Sequence, residues 1–314
     1  MREAILLLAA LIALTLAKPG LTESLPKPAL DTFNCVVGTQ TFSPSYQFTD
    51  DPPLLETARA ILAMGSNVIK FKLDDSYYGD KGQNVHEADP RVHSLRDLVQ
   101  FEPTHRAVLE LPFAYYIIWV YPFNLSPMGK PISEDNRQKE YTETRQLVEY
   151  LLKTYSGTGK TFFLGHWEGD WHLRPTYDPK SEIPEERLQW MVDWTNLRQQ
   201  AIDEAKAAIE FHDVEVYGYT EVNLVKNGLE DKQCLARDVL PKTNPDFVSY
   251  SSYDTQGDST LLKQALDYIE VRLKPKPGIQ GKRVFIGEYG FPAQSHTPED
   301  RKSTRLNSSH RIRS

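Results

Sequence analysis

The stretch Gly165-His166-Trp167-Glu168-Gly169-Asp170-Trp171 follows an apolar run, Thr161-Phe162-Phe163-Leu164. Near the other end of the chain, Arg283-Val284-Phe285-Ile286-Gly287-Glu288-Tyr289-Gly290-Phe291-Pro292 has the same design. In both, a short apolar strand delivers a glutamate among glycine and aromatic residues. Two facing carboxyls can divide the cleavage of a glycosidic bond between them. One, kept protonated, donates to the leaving oxygen, and the other attacks the anomeric carbon. Trp167, Trp171, Tyr289 and Phe291 offer flat faces of the kind that stack on sugar rings.

That chemistry needs one scaffold to bring residues 168 and 288 together. Apolar runs predict seven strands, over 34–42, 67–74, 115–121, 161–167, 214–219, 246–253 and 283–288. Helical spacing of apolar residues predicts helices over 54–64, 92–100, 134–155, 184–211 and 260–273. Strands alternating with helices imply a parallel sheet. With no dinucleotide-binding glycine fingerprint, the pattern favours a closed (β/α)8 TIM barrel over an open sheet. The chain has 314 residues, of which 40% are hydrophobic, enough for one large core. A single catalytic domain is expected over 33–300.

The ends read differently. Arg2, the apolar run 4–16 broken only by Thr15, and the small Ala17 match a secretory signal over 1–17. That implies a secreted or periplasmic protein, with 18–32 as an extended lead-in and no membrane contact after cleavage. Residues 301–314 are basic and nearly devoid of aliphatic side chains. They read as a non-native or disordered tail, so the barrel is expected to lack its last strand–helix unit in this chain. The net charge of -7, without a basic stripe, argues against nucleic acid as a partner. Cys35 and Cys234 are expected as buried free thiols, since nothing in the sequence places them within bonding reach.

A glutamate after the fourth strand and another after the seventh resembles the pattern of the clan A retaining glycoside hydrolases. The resemblance runs over the barrel by strand order, without a long motif. It implies Glu168 as acid/base and Glu288 as nucleophile. One departure matters: that clan commonly has Asn just before the acid/base, where this chain has Trp167. The contact which that Asn usually makes to the sugar 2-hydroxyl is therefore unassigned.

Strand alternation extends the expected site. Phe162, Leu164, His166 and Glu168 share one face, as do Val284, Ile286 and Glu288. If those faces point inward, both glutamates emerge at the C-terminal mouth, where barrel enzymes keep their sites. Lys70, Lys72 and Asp74 share a face of the second strand, and Lys72 is expected beside Glu288, helping to keep it ionised. Tyr250 and Tyr253 close the sixth strand, where a tyrosine resembles the one that hydrogen-bonds the nucleophile in the clan. Glu221 and Asn223 end the fifth strand, with Glu221 a reserve acid. The expected substrate-binding set is His166, Trp167, Trp171, Lys72, Asn223, Tyr250, Tyr253 and Tyr289. The expected partner is an oligo- or polysaccharide bound by a monomer, without a cofactor.

Two other readings use the same residues. A catalytically dead barrel would bind carbohydrate only. A metal-dependent hydrolase would use His166, Glu168, Asp170 and His172, which alternate at period two. A single strand rarely curls enough to converge four ligands, so no metal is expected. The run Gly157-Thr158-Gly159-Lys160-Thr161 mimics a phosphate-binding loop. It has Thr154 where the first glycine belongs and precedes a strand instead of opening a helix, so it is set aside.

Overall fold

The computed structural model describes residues 38–41, 47–79, 85, 87–123 and 128–291. The expected signal, lead-in, tail and Cys35 lie outside these residues. The elements run β1 (Thr39–Gln40), α1 (Pro53–Ala63), β2 (Val68–Leu73), α2 (Leu95–Phe101), α3 (Pro103–Glu110) and β3 (Tyr115–Val120). Next come α4 (Glu134–Thr154), β4 (Lys160–Gly165), α5 (Gly169–Leu173), α6 (Glu185–Ala208) and β5 (Val214–Val222). The chain continues with α7 (Val225–Leu229), α8 (Leu235–Asp238), β6 (Phe247–Ser251), α9 (Ser259–Glu270) and β7 (Val284–Glu288).

The seven strands pair in sequence order, and every pair is parallel. Open parallel sheets of the doubly wound kind reverse their order at a switch point, and this sheet does not. It curls instead. The Phe163 ring of β4 lies 5.2 Å from Phe247 of β6 and 5.7 Å from Phe285 of β7. Strands three places apart touch only when the sheet bends into a barrel wall. Among the described residues the fold is a seven-stranded parallel half-barrel, consistent with part of a TIM barrel.

Alternation sorts the strand residues into two layers. Val68, Tyr115, Ile117, Trp119, Phe163, Tyr217, Tyr219, Phe247 and Phe285 form an inner cluster. Their neighbours along the strands, such as Ile69, Phe71, Tyr116, Ile118, Phe162, Leu164 and Val216, pack outward with α1 and α4. This reverses the expected facing of β4 and β7. Phe162, Leu164 and Val284 belong to the helix-side layers, not to the barrel interior.

Local chemistry accounts for the breaks in the helices. The expected helix at 92–100 is α2, and Pro103 then opens α3, a further helix that was not expected, as its first residue. Glu102 ends α2 and caps α3, accepting from the backbone N–H of Thr104 and His105 at 3.0 and 2.7 Å. Cys234 is a buried free thiol.

Candidate active site

The C-terminal ends of β2, β4, β5, β6 and β7 converge on a buried polar cluster. Lys70 projects inward from β2 above Val68. It is 3% exposed, and burial of an ammonium is costly unless it is paired. Its Nζ lies 2.9 Å from Glu221 Oε2 and 2.9 Å from Glu288 Oε1, and it stands over the Trp119 ring at 4.5 Å. Glu221 is fully buried and also accepts from Ser249 Oγ at 2.7 Å. Tyr253 Oη donates to Glu288 Oε2 at 3.1 Å.

Glu288 reaches this cluster through an irregularity. Tyr250 pairs with Ile286, but the next residue, Ser251, pairs with Glu288, so β7 carries one extra residue there. Such a bulge re-aims the side chain that follows it. It turns Glu288 to the face of Ser249 and Ser251, inside the barrel. The extra residue is Gly287, where a Cβ would lie 1.8 Å from Ser249 Oγ. Any side chain there would displace the serine that holds Glu221.

Glu168 arrives differently. β4 ends at Gly165, and strand parity ends with it. The chain then turns inward on two hydrogen bonds: Trp167 N–H donates to Tyr121 Oη at 2.9 Å, and Glu168 N–H to Glu221 Oε1 at 3.1 Å. Gly169 allows the close approach that follows, since a Cβ would sit 2.4 Å from Leu235 Cδ1 and 2.7 Å from His166 Cε1. Asp170 pins the short α5, accepting from the backbone N–H of Asn223, Leu224 and Leu235 at 3.0, 3.2 and 2.7 Å. The carboxyl of Glu168 accepts from Trp171 Nε1 at 2.7 Å.

Glu168 and Glu288 are 7% and 8% exposed. Burial, then the charges of Glu288 and Glu221, pushes Glu168 up to about 8, against a smaller pull from the Trp171 N–H. Burial also raises Glu288, but the Lys70 ammonium and the Tyr253 hydroxyl oppose it. The contacts that favour an anion are concentrated on Glu288. These neighbours favour the anion of Glu288 more than that of Glu168.

The other expected site residues divide. Trp171, Trp167, Tyr253 and Tyr289 lie at or near the mouth. Trp167 is half-buried and packs edge-on to Trp119 at 6.5 Å, and Tyr289 is exposed against Phe291 at 5.8 Å. Lys72 is not beside Glu288. It pairs with Asp74 at 2.8 Å and Ser76 at 3.2 Å, one step nearer solvent, and Lys70 holds the expected place. His166 is on the helix side, bonded to Thr220 Oγ1 at 2.7 Å and tilted against Trp194. Burial holds its imidazole well below the ordinary range. Tyr250 also faces outward, with its hydroxyl on Asp254 and Thr255. Asn223 accepts from the Asp170 N–H at 3.2 Å and so braces α5. The alternating His166, Glu168, Asp170 and His172 go to separate partners, His172 to Tyr121 Oη at 3.3 Å. Sequence reasoning placed Lys70 on the right face but chose its neighbour, and it left Glu221 in reserve.

No protein-family model matches the chain, and no curated protein does. Among solved structures, it is similar to the crystal structure of a GH5_18 glycoside hydrolase from Bifidobacterium longum subsp. infantis. The TM-score is 0.49 at 12% sequence identity, and the match covers 80% of this chain. The chain spans 58% of the length of that relative.

Proposed function

We propose that the chain is an exported glycoside hydrolase that cleaves β-glycosidic bonds by double displacement, with Glu168 as acid/base and Glu288 as nucleophile. The observation that carries this reading is the contrast between the Lys70–Glu288 ion pair and the Trp171–Glu168 hydrogen bond at one mouth. Two buried carboxyls with different neighbours can hold different protonation states at one pH.

In the first step a Glu288 oxygen bonds to the anomeric carbon. The bond to the leaving oxygen breaks, and that oxygen takes the Glu168 proton. Esterified Glu288 carries no charge, so the second-largest cause of the raised Glu168 value disappears. Glu168, now ionised, takes a proton from water. The hydroxide oxygen bonds to the carbon, and the electron pair of the ester bond returns to Glu288. Trp167, Trp171, Tyr253 and Tyr289 are the candidate sugar contacts. The apolar run in 1–17 supports export.

The test uses aryl β-glycosides and the Gln variants. Glu288→Gln is expected to lose at least about 10⁴-fold in kcat/KM. Glu168→Gln is expected to lose about 10²–10⁴-fold with a poor leaving group, and to regain the first step with an activated one, which needs no protonation. The first-formed sugar should keep its β configuration by NMR. Full activity in Glu288→Gln would end this assignment. Sugar binding without turnover by the wild type would favour a binding barrel.

A further inference from the structure

We infer that Glu221 is a positioning residue which keeps Lys70 paired throughout the reaction and ties the acid's backbone to the nucleophile's cation. The inference rests on the assignment of Glu168 and Glu288 above. Its ground is a bridge made by one side chain. Glu221 Oε1 accepts the Glu168 N–H at 3.1 Å, and Oε2 accepts from Lys70 at 2.9 Å. Lys70 in turn holds Glu288 at 2.9 Å. Three hydrogen bonds therefore connect the turn after β4 with the end of β7 through β5.

The charges give the bridge its purpose. In the resting site Lys70 has two anionic partners. When Glu288 becomes an ester, its charge is spent on the new carbon–oxygen bond and the leaving group departs with the Glu168 proton. A site with Glu288 alone would then leave a buried ammonium facing a neutral ester. Breaking a buried pair in this way is strongly unfavourable. Glu221 does not react, so Lys70 keeps one full counter-charge in the ester. When water restores the Glu288 carboxylate, the original triad returns. Ser249, with the space that Gly287 leaves for it, fixes Glu221 Oε2 toward Lys70.

Among the described residues, charged and titratable groups face Glu221 from six directions. Lys70 faces it from β2, Tyr121 from beyond β3, and Glu168 and His172 from beyond β4. Tyr219 lies on its own strand, Tyr253 beyond β6 and Glu288 on β7. The Glu221 charge raises both Glu168 and Glu288. Removing it lowers both, which a purely structural contact would not do.

The experiment compares Glu221→Gln, Glu221→Asp and Glu288→Gln in the full chain on an aryl β-glycoside. Gln keeps the shape and an oxygen for the Glu168 N–H but removes the charge. Both limbs of its kcat/KM profile should move to lower pH, by about one unit, and the burst of aryl alcohol should slow about a hundredfold. Asp keeps the charge but shortens the reach. Its limbs should stay at the wild-type positions while kcat falls. Limbs that do not move in Gln, or that move equally in Asp, overturn the inference. If melting shows that Gln does not fold, the Asp profile decides alone: unmoved limbs support the inference and moved limbs overturn it. Activity retained in Glu288→Gln would instead end the underlying glycosidase reading, whatever Glu221 does.

Discussion

The turn after β4 and the end of β7 each carry one glutamate, withdrawn from water to nearly the same extent. Their supports differ in kind. On the β4 side the Glu168 carboxyl meets a neutral donor, the Trp171 indole, while its backbone N–H rests on Glu221 and Asp170 gathers backbone N–H groups beneath it. The β7 side is held by charge, with Lys70 on one carboxyl oxygen and Tyr253 on the other. Equal burial pushes both glutamates toward the neutral acid, so burial cannot tell them apart. The neighbours do. Opposite unit charges about 4 Å apart attract by about 4 kcal/mol at an effective dielectric of about 20. A hydrogen bond to a charged group contributes about 1.5–3 kcal/mol. The cation is the larger influence, and it acts to favour the anion of Glu288.

The strongest way to break that contrast is to remove the cation. In Lys70→Met Glu288, the proposed nucleophile, loses the cation that opposes its burial, and Glu221 loses its counter-ion as well. Glu288 should then ionise at higher pH. The expected result is a kcat/KM at neutral pH lower by about a thousandfold, with the acid limb moved up by about 1–3 units in the folded protein. An acid limb that stays at its wild-type position would mean that Lys70 does not govern Glu288, and the contrast would collapse. A pH titration of kcat/KM, alongside melting curves at each pH, measures both quantities.

A smaller effect is expected on the same side from Tyr253→Phe. The hydroxyl donates to Glu288 Oε2 and favours its anion, so its loss raises the Glu288 pKa while Lys70 remains. The acid limb should rise by less than in Lys70→Met, with kcat/KM down about tenfold. A shift of the alkaline limb in this variant would show that the two sides are not separable.

Much of the scaffold was legible because strands and helices write their period into the sequence. The apolar runs located all seven strands, and the glutamates after β4 and β7 stand at the barrel mouth. What was not legible is where the period stops. Parity arguments carried Glu168 and Glu288 inward on the faces of Leu164 and Ile286. The structure turns Leu164 outward, and the two glutamates arrive by a turn and a bulge. Neither device has a hydrophobic signature. The choice between Lys70 and Lys72 depends on the depth to which Glu288 reaches from the far wall. That is a cross-barrel distance, and no local pattern encodes it. His166 and Tyr250 followed the same parity and were likewise assigned to the wrong side. Gly169 and Gly287 were visible from the start, but the contacts that require them come from His166 after β4 and from β5, β6 and α8, known only in three dimensions.

The finest test of the contrast lies on the neutral side, in Trp171→Phe. The indole N–H donates to Glu168 Oε2 at 2.7 Å and is the one hydrogen bond among the causes acting on that carboxyl. In the reactive form Glu168 is protonated, and the bond is one between neutral groups, contributing about 0.5–1.5 kcal/mol. In the ionised form the same N–H meets a carboxylate and contributes about 1.5–3 kcal/mol. The difference, about 1 kcal/mol, is what the substitution removes from the anion relative to the acid. One pKa unit corresponds to about 1.36 kcal/mol, so Glu168 should move up by somewhat less than a unit from its value of about 8. The sign follows from the donor. An N–H favours the anion, its loss favours the acid, and the alkaline limb must move to higher pH. Below that limb Glu168 is already protonated in both proteins, so kcat/KM near neutrality should change only about threefold, through positioning. Above the wild-type limb the variant should be relatively more active. The acid limb, set by Glu288 and its cation, should not move. An alkaline limb displaced to lower pH would mean that Trp171 holds the acid form, and the two glutamates would no longer be distinguished by the kind of partner each has.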